Sequence, residues 1–452
     1  MERRCLPVTI RPLVTRLISL VLFALALVPG LPAEAAARYI VRVANGSAIQ
    51  LVCLLTGYSL VENIDGSGQL YLLQAPDLLD PISGLTRLTA TVGVLGVEQD
   101  LVAHTADSNT PDIPRALQDT TPTPYYGTAV PHGYVYQPAT QKIRLADLRT
   151  AYPSATGAGL VAVIDTGVDP NHPVLKPVLL PGYDFTRNRA GADETADVSL
   201  VAQPFVDGVQ PIWMNSSSGQ VDQSTAAVVD QSTAAVVDGQ LAPDFGHGTM
   251  VAGIIHLVAP TAKILPIKVF GADGTGYTSD ILRGIYYAVA MHANVLNMSF
   301  HLASYSPEVA TALTMANLGG AISVAAAGNE GLKALRYPAA LSMVMGVAST
   351  TDDDEISTFS NYGSQLVWVA APGEGVVTTY PFSTYAACWG TSFSTPFVSG
   401  LAAAMLSVDP LSNQSKSSGA AAHAQQIDPN ANHGRIDLVQ ALQSARSSTL
   451  LQ

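Results

Sequence analysis

Four polar residues stand where apolar segments begin or end. Asp165 closes the apolar run VAVID and is followed by the turn residues Thr166-Gly167. His247 lies between Gly246 and Gly248 and opens an apolar, helix-like stretch. Asn329 comes two residues after Ala327, where another apolar run stops, and Ser392 starts a helix of small residues in GTSFSTP. Each has an ordinary structural use: Asp165 and Asn329 in turns, His247 as a satisfied buried ring, Ser392 as a helix cap. Each also has a chemical use. Ligands of open parallel sheets bind at the carboxyl ends of the strands. Glycines beside a histidine let a ligand or a second backbone approach closely. A serine at a helix start faces unpaired N–H groups and the positive end of the helix dipole.

Together the four supply acyl transfer. Ser392 is a weak nucleophile at neutral pH and needs a general base. His247 takes that proton and returns it to a leaving amine. Asp165 holds the imidazole tautomer and stabilises the imidazolium. The Asn329 amide, with the Ser392 backbone N–H, supplies donors for an oxyanion. An esterase of the α/β-hydrolase type needs its serine in G-x-S-x-G and the order Ser, acid, His. Neither is present.

The surrounding pattern predicts how these residues are held. Short apolar runs at 160–164, 264–270, 295–299, 321–327 and 343–348 alternate with helical stretches at 247–258, 279–292, 307–318 and 393–408. Buried strands alternating with helices predict an α/β fold, a parallel sheet covered on both faces.

The first 37 residues read as a signal peptide. A leader with four arginines precedes an uncharged apolar run, Pro29-Gly30 and an alanine-rich stretch. The run is too short to span a bilayer comfortably. Residues 38–103 predict a small α+β unit in the order β-α-β-α-β. Residues 104–134, rich in Thr, Pro, Asp and Tyr, read as a linker, and residues 135–445 as the main domain. Within it, 187–241 is an insertion in which VDQSTAAV occurs twice in tandem, expected to be a surface loop. The 452 residues carry a net charge of −13 and only 13% charged side chains. That acidity argues against nucleic acid or an anionic membrane as partner.

The strings VAVIDTGVD, HGTMVAGII, VAAAGNEG and GTSFSTPFVSG resemble the signatures of subtilisin-like serine proteases, the subtilase family. The resemblance covers about 135–445. It implies a three-layer fold with a mostly parallel sheet, preceded by a small α+β propeptide domain that inhibits the enzyme and is cut off by it. It implies Asp165, His247 and Ser392 as the triad and Asn329 with Ser392 as the oxyanion hole. Ser299, Phe300 and His301 resemble the strand that binds substrate, and Ala327 and Gly328 are further substrate-binding candidates. The expected product is a secreted, monomeric endopeptidase acting on protein or peptide substrates, made as a zymogen and needing no cofactor for catalysis. Structural calcium is possible in this family, but no metal ligands are assigned. The alternative is a pseudo-protease that binds peptides without cutting them.

Several positions depart from the family. His301 stands where glycine is usual and is expected to crowd or polarise the groove. Phe393 and Ser394 replace Met and Ala after the nucleophile, read as a packing difference. Asp352-Asp353-Asp354-Glu355 reads as an exposed turn rather than a cation site. Glu330 is expected to edge the pocket for the residue before the scissile bond and to favour a polar or basic residue there only slightly. Cys388 reads as a buried inert thiol.

Overall fold

The computed structural model describes residues 37–76, 81–105, 114–197, 212–213, 227–229 and 244–449. The predicted signal peptide, apart from its last residue, and most of the tandem octad lie outside them. The chain divides into two units, residues 1–63 with 67–99, and residues 64–66 with 100–452.

The smaller unit has four antiparallel strands in the order Ser59–Asn63, Leu70–Gln74, Arg38–Val43, Val94–Gln99. Helices Ala48–Thr56 and Pro81–Thr89 complete it. Tyr39, Val41 and Val43, alternate residues of one strand, join Ile49, Val52 and Leu88 in its core, as the period of two requires. Strand Ser59–Asn63 was not predicted. None of its residues is fully buried, so SLVEN carries no apolar alternation to read.

The larger unit is built on an eight-stranded sheet. Its order is Arg189–Ala190, Tyr183–Asp184, Lys263–Lys268, Leu160–Asp165, Val295–Met298, Ile322–Ala326, Met345–Thr350, Val369–Pro372. All neighbours are parallel except the edge pair Arg189–Ala190 and Tyr183–Asp184. Helices His247–Val258, Thr278–Ala290 and Pro307–Leu318 form the crossovers between central strands. The central strands are buried along nearly their whole length, which explains their continuous apolar runs. All five predicted strands and all four predicted helices occur, with ends shifted by a few residues.

The described residues of the stretch expected to be an unpatterned linker carry regular structure and belong to this larger unit. It carries helix Arg115–Gln118, hairpin Pro122–Tyr125/Thr128–Pro131 and helix His132–Val135. Tyr125 and Tyr134 anchor it, their hydroxyls donating to the carbonyls of His256 and Gly253. The aromatic content of the segment was the signal for this packing; the absence of periodicity concealed it. Strand Val102–Thr105 precedes it, paired antiparallel with Thr275–Tyr277 on one side and Phe300–His301 on the other.

Candidate active site

Asp165 ends strand Leu160–Asp165, and the Gly246-His247-Gly248 segment starts the helix that follows in the fold. The two must meet closely. A Cβ on Gly248 would lie 1.9 Å from the Gly167 carbonyl oxygen, so only glycine fits. Across this approach, His247 Nδ1 lies 2.6 Å from Asp165 Oδ1, and both side chains are buried. Asp165 Oδ1 also accepts from the Thr166 N–H at 2.7 Å. A buried carboxylate beside Nδ1 fixes the tautomer in which that nitrogen carries the proton. The His247 ring rests on Phe393, with centroids 5.2 Å apart. Phe393, expected as a packing difference, is thus a wall for the imidazole.

Ser392 is the second residue of helix Thr391–Leu406. Pro396, four residues on, has no N–H for the Ser392 carbonyl. That carbonyl instead accepts from the Ser299 hydroxyl at 2.8 Å, while Ser392 Oγ donates to the Ser299 carbonyl at 3.0 Å. Asn297 Nδ2 donates to Ser299 Oγ at 3.0 Å, and its Oδ1 accepts from Ser399 Oγ at 2.8 Å. The serine is therefore locked to the end of strand Val295–Met298 by a buried polar chain. Pro396 was visible in GTSFSTP; its consequence for Ser392 was not drawn from sequence.

Asn329 stands beyond the end of strand Ile322–Ala326. Its Oδ1 accepts the Thr391 N–H at 2.9 Å, and the Thr391 hydroxyl accepts the Gly328 N–H at 3.1 Å. Its Nδ2 is buried and has no hydrogen-bond partner. Asp165, His247, Asn329 and Ser392 thus come from two strand ends and two helix starts, at the carboxyl side of the parallel sheet.

The predicted groove residues lie beside them. Phe300 and His301 pair with Thr105 and His104 in backbone register. His301 Nε2 is 3.4 Å from Glu330 Oε1. Glu330 Oε1 also accepts from Arg336 Nε at 2.6 Å, and its Oε2 accepts from Asn361 Nδ2 at 2.5 Å. Burial pushes the Glu330 carboxyl up, but His301, Arg336 and Asn361 outweigh it and hold it below its usual range. This revises the expectation for Glu330. Its charge is countered by Arg336, which lies five positions beyond the motif VAAAGNEG and outside its pattern.

Cys388 is buried and its thiol donates to the Val376 carbonyl at 3.2 Å. In the predicted acidic turn, Asp354 is held by Arg435 and Lys142. Among the described residues no group of three or more His, Cys, Asp or Glu is gathered as for a metal ion, and no helix is long and apolar enough to cross a membrane.

The model of the subtilase family matches residues 157–435. Thermitase from Thermoactinomyces vulgaris is 35% identical over 258 residues, which is 57% of this chain and 78% of thermitase. Subtilisin BL from Lederbergia lenta is 40% identical over 174 residues, 36% of this chain and 64% of that protein, just under two thirds of it. The major intracellular serine protease of Bacillus subtilis is 33% identical over 282 residues, covering 59% and 74%. Among solved structures, that of fervidolysin from Fervidobacterium pennivorans, a keratinolytic enzyme related to subtilisin, superposes with a TM-score of 0.66. It is 19% identical, and the match covers 92% of this chain and 62% of fervidolysin, which speaks to the fold.

Proposed function

The chain belongs to the subtilase family of serine-type endopeptidases, and from that premise we propose that Asp165, His247 and Ser392 are its catalytic triad. The carrying observation is the buried 2.6 Å contact of His247 Nδ1 with Asp165 Oδ1, beside a serine tied to the substrate-binding strand. Ser392 Oγ attacks the scissile carbonyl carbon as His247 Nε2 takes its proton. The carbonyl oxygen becomes an oxyanion, which accepts from Asn329 Nδ2 and the Ser392 N–H. Its collapse breaks the C–N bond, and the imidazolium returns the proton to the departing amine. Water, activated by the same histidine, then hydrolyses the acyl-enzyme. Side chains and backbone N–H groups suffice, with no cofactor in the chemistry.

The substrate lies as an added strand between Thr275–Tyr277 and Phe300–His301. Strand Val102–Thr105 pairs there now, which supports a zymogen whose own chain fills the groove. Asp100 supports the same reading: its carboxylate accepts from the Ser279 N–H at 2.9 Å and the Ser279 hydroxyl at 3.0 Å, at the start of helix Thr278–Ala290. In this reading the inhibitory propeptide expected over 38–103 extends to Thr105, residues 1–37 direct export, and the mature product is a secreted monomer.

Ser392→Ala and His247→Ala test the triad. Each should lower kcat by roughly 10⁶, the scale known for subtilisin, and the double variant should be little worse than either. A double variant far below both single ones would mean that the two residues do not share one mechanism.

A further inference from the structure

Glu194 lies at the start of the stretch expected to be a plain surface insertion, yet its side chain is buried. Its two oxygens reach both segments that carry the acid and the base. Oε2 accepts from the Thr166 hydroxyl at 3.0 Å and from the Gly246 N–H at 3.1 Å. Oε1 accepts from the Thr249 N–H at 3.0 Å and also from the Thr249 hydroxyl. Thr166 directly follows Asp165; Gly246 and Thr249 bracket His247. Thr166 Oγ1 closes the loop by accepting the Gly248 N–H at 2.9 Å.

The first-turn N–H groups of a helix have no partner within it and favour a negative charge. Capping alone would need only the Gly246 and Thr249 contacts. The bond from Thr166 is the additional one, and it joins the helix start to the end of strand Leu160–Asp165. Burial pushes the Glu194 carboxyl up to about 8 against the pull of Thr249, Lys268 and Thr166. Each of its oxygens nevertheless accepts from a backbone N–H, Gly246 at one and Thr249 at the other, so one rigid group sets the spacing of the two segments.

We propose that Glu194 is a positioning residue for catalysis, its carboxyl group holding the Asp165 strand end and the His247 helix start in the register that aligns the imidazole with Ser392. The inference rests on the triad reading above. A glutamine has the same shape but turns an NH₂ group toward donors at one of its ends. It must break at least one of the four bonds, and the two segments are then free to shift. Misplacement of a catalytic group by about 1 Å costs up to roughly 100-fold in rate.

The test compares folded, mature wild type with Glu194→Gln. It uses peptide hydrolysis, the rate of Ser392 labelling by a fluorophosphonate, and the downfield proton signal of the His247–Asp165 hydrogen bond. We expect kcat and the labelling rate to fall together by about 10–100-fold, KM to stay near wild type, and the proton signal to move or vanish. A residue that only stabilises the fold would lower the melting temperature and leave these three readouts unchanged. Wild-type kcat in folded Glu194→Gln overturns the proposal. Should that variant fail to fold, Thr166→Val and Thr166→Ser replace it. The valine removes the hydroxyl link and should lose rate, and the serine keeps it and should not. Equal rates in the two overturn the proposal. Failure of wild type itself to label at Ser392 would refute the triad reading instead.

Discussion

The Thr391 backbone N–H donates to Asn329 Oδ1 at 2.9 Å, so a residue next to the proposed nucleophile fixes the rotation of the proposed oxyanion donor. The Asn329 Nδ2 that remains is buried without a partner. An unsatisfied buried donor costs about 1–3 kcal/mol. Under the proposed mechanism that donor is satisfied in the transition state. Asn329→Leu should therefore lower kcat by about 10²–10³-fold with little change in KM, read from steady-state kinetics on a peptide substrate. A raised KM with kcat preserved would make Asn329 a substrate-binding residue instead.

Maturation should be autocatalytic and should cut close behind strand Val102–Thr105. Thr105 pairs with Phe300, and Ser299, the next residue back along that strand, carries the carbonyl bonded to Ser392 Oγ. The antiparallel register therefore brings the strand end at Thr105 next to the nucleophile's partner. N-terminal sequencing of wild type should find a mature terminus within about two residues of that point, the register of one strand pair. The Ser392→Ala protein should keep residues 38–105. Identical trimming of the inactive variant with no other protease present would refute self-processing.

How far this was legible in the sequence depends on what kind of signal each element leaves. The parallel sheet announced itself because its strands are buried on both faces. Asp165, His247, Asn329 and Ser392 were found because each follows or opens such a run. Ser59–Asn63 left no trace because an exposed strand has no apolar pattern. Glu194 and Arg336 were passed over because their neighbours in the chain are not their neighbours in space. Glu194 meets Thr249, 55 positions away, across a segment whose repeats drew attention to length rather than to one carboxylate. The structured part of 104–134 was hidden by proline and threonine, although its tyrosines form the contacts.

Acid should destabilise the larger unit through two buried histidines. Burial lowers His172 to about 4 and His256 to about 3, with His172 adding to the effect on His256. The unfolded chain binds these protons near 6.5. The contribution to stability is thus complete above pH ~6.5 and is lost as pH falls from there toward the two folded-state values. Denaturant unfolding of the Ser392→Ala protein, which cannot digest itself, should show stability falling between pH 6.5 and 4.5. His256→Phe should reduce that slope by up to about 1.4 kcal/mol per pH unit. An unchanged slope would mean that His256 is protonated in the native state.

Arg336 should mask the charge of Glu330. The Arg336–Glu330 contact of 2.6 Å leaves the carboxylate little attraction for a substrate cation. Arg336→Ala should raise kcat/KM for peptides with lysine or arginine before the scissile bond, relative to alanine, by up to about 5-fold, the range of a partly solvated ion pair. Glu330→Gln in the same background should abolish the gain. A gain that survives Glu330→Gln would place the recognition elsewhere in the groove.

The central claim is that Ser392, activated by His247, is the nucleophile. Its most direct measurement is reaction of the mature protein with a fluorophosphonate, followed by mass spectrometric mapping of the adduct. The account predicts a single phosphonylated residue, Ser392, and labelling slowed by orders of magnitude in His247→Ala. Phosphonylation at another residue, or wild-type labelling of Ser392 without His247, would contradict it.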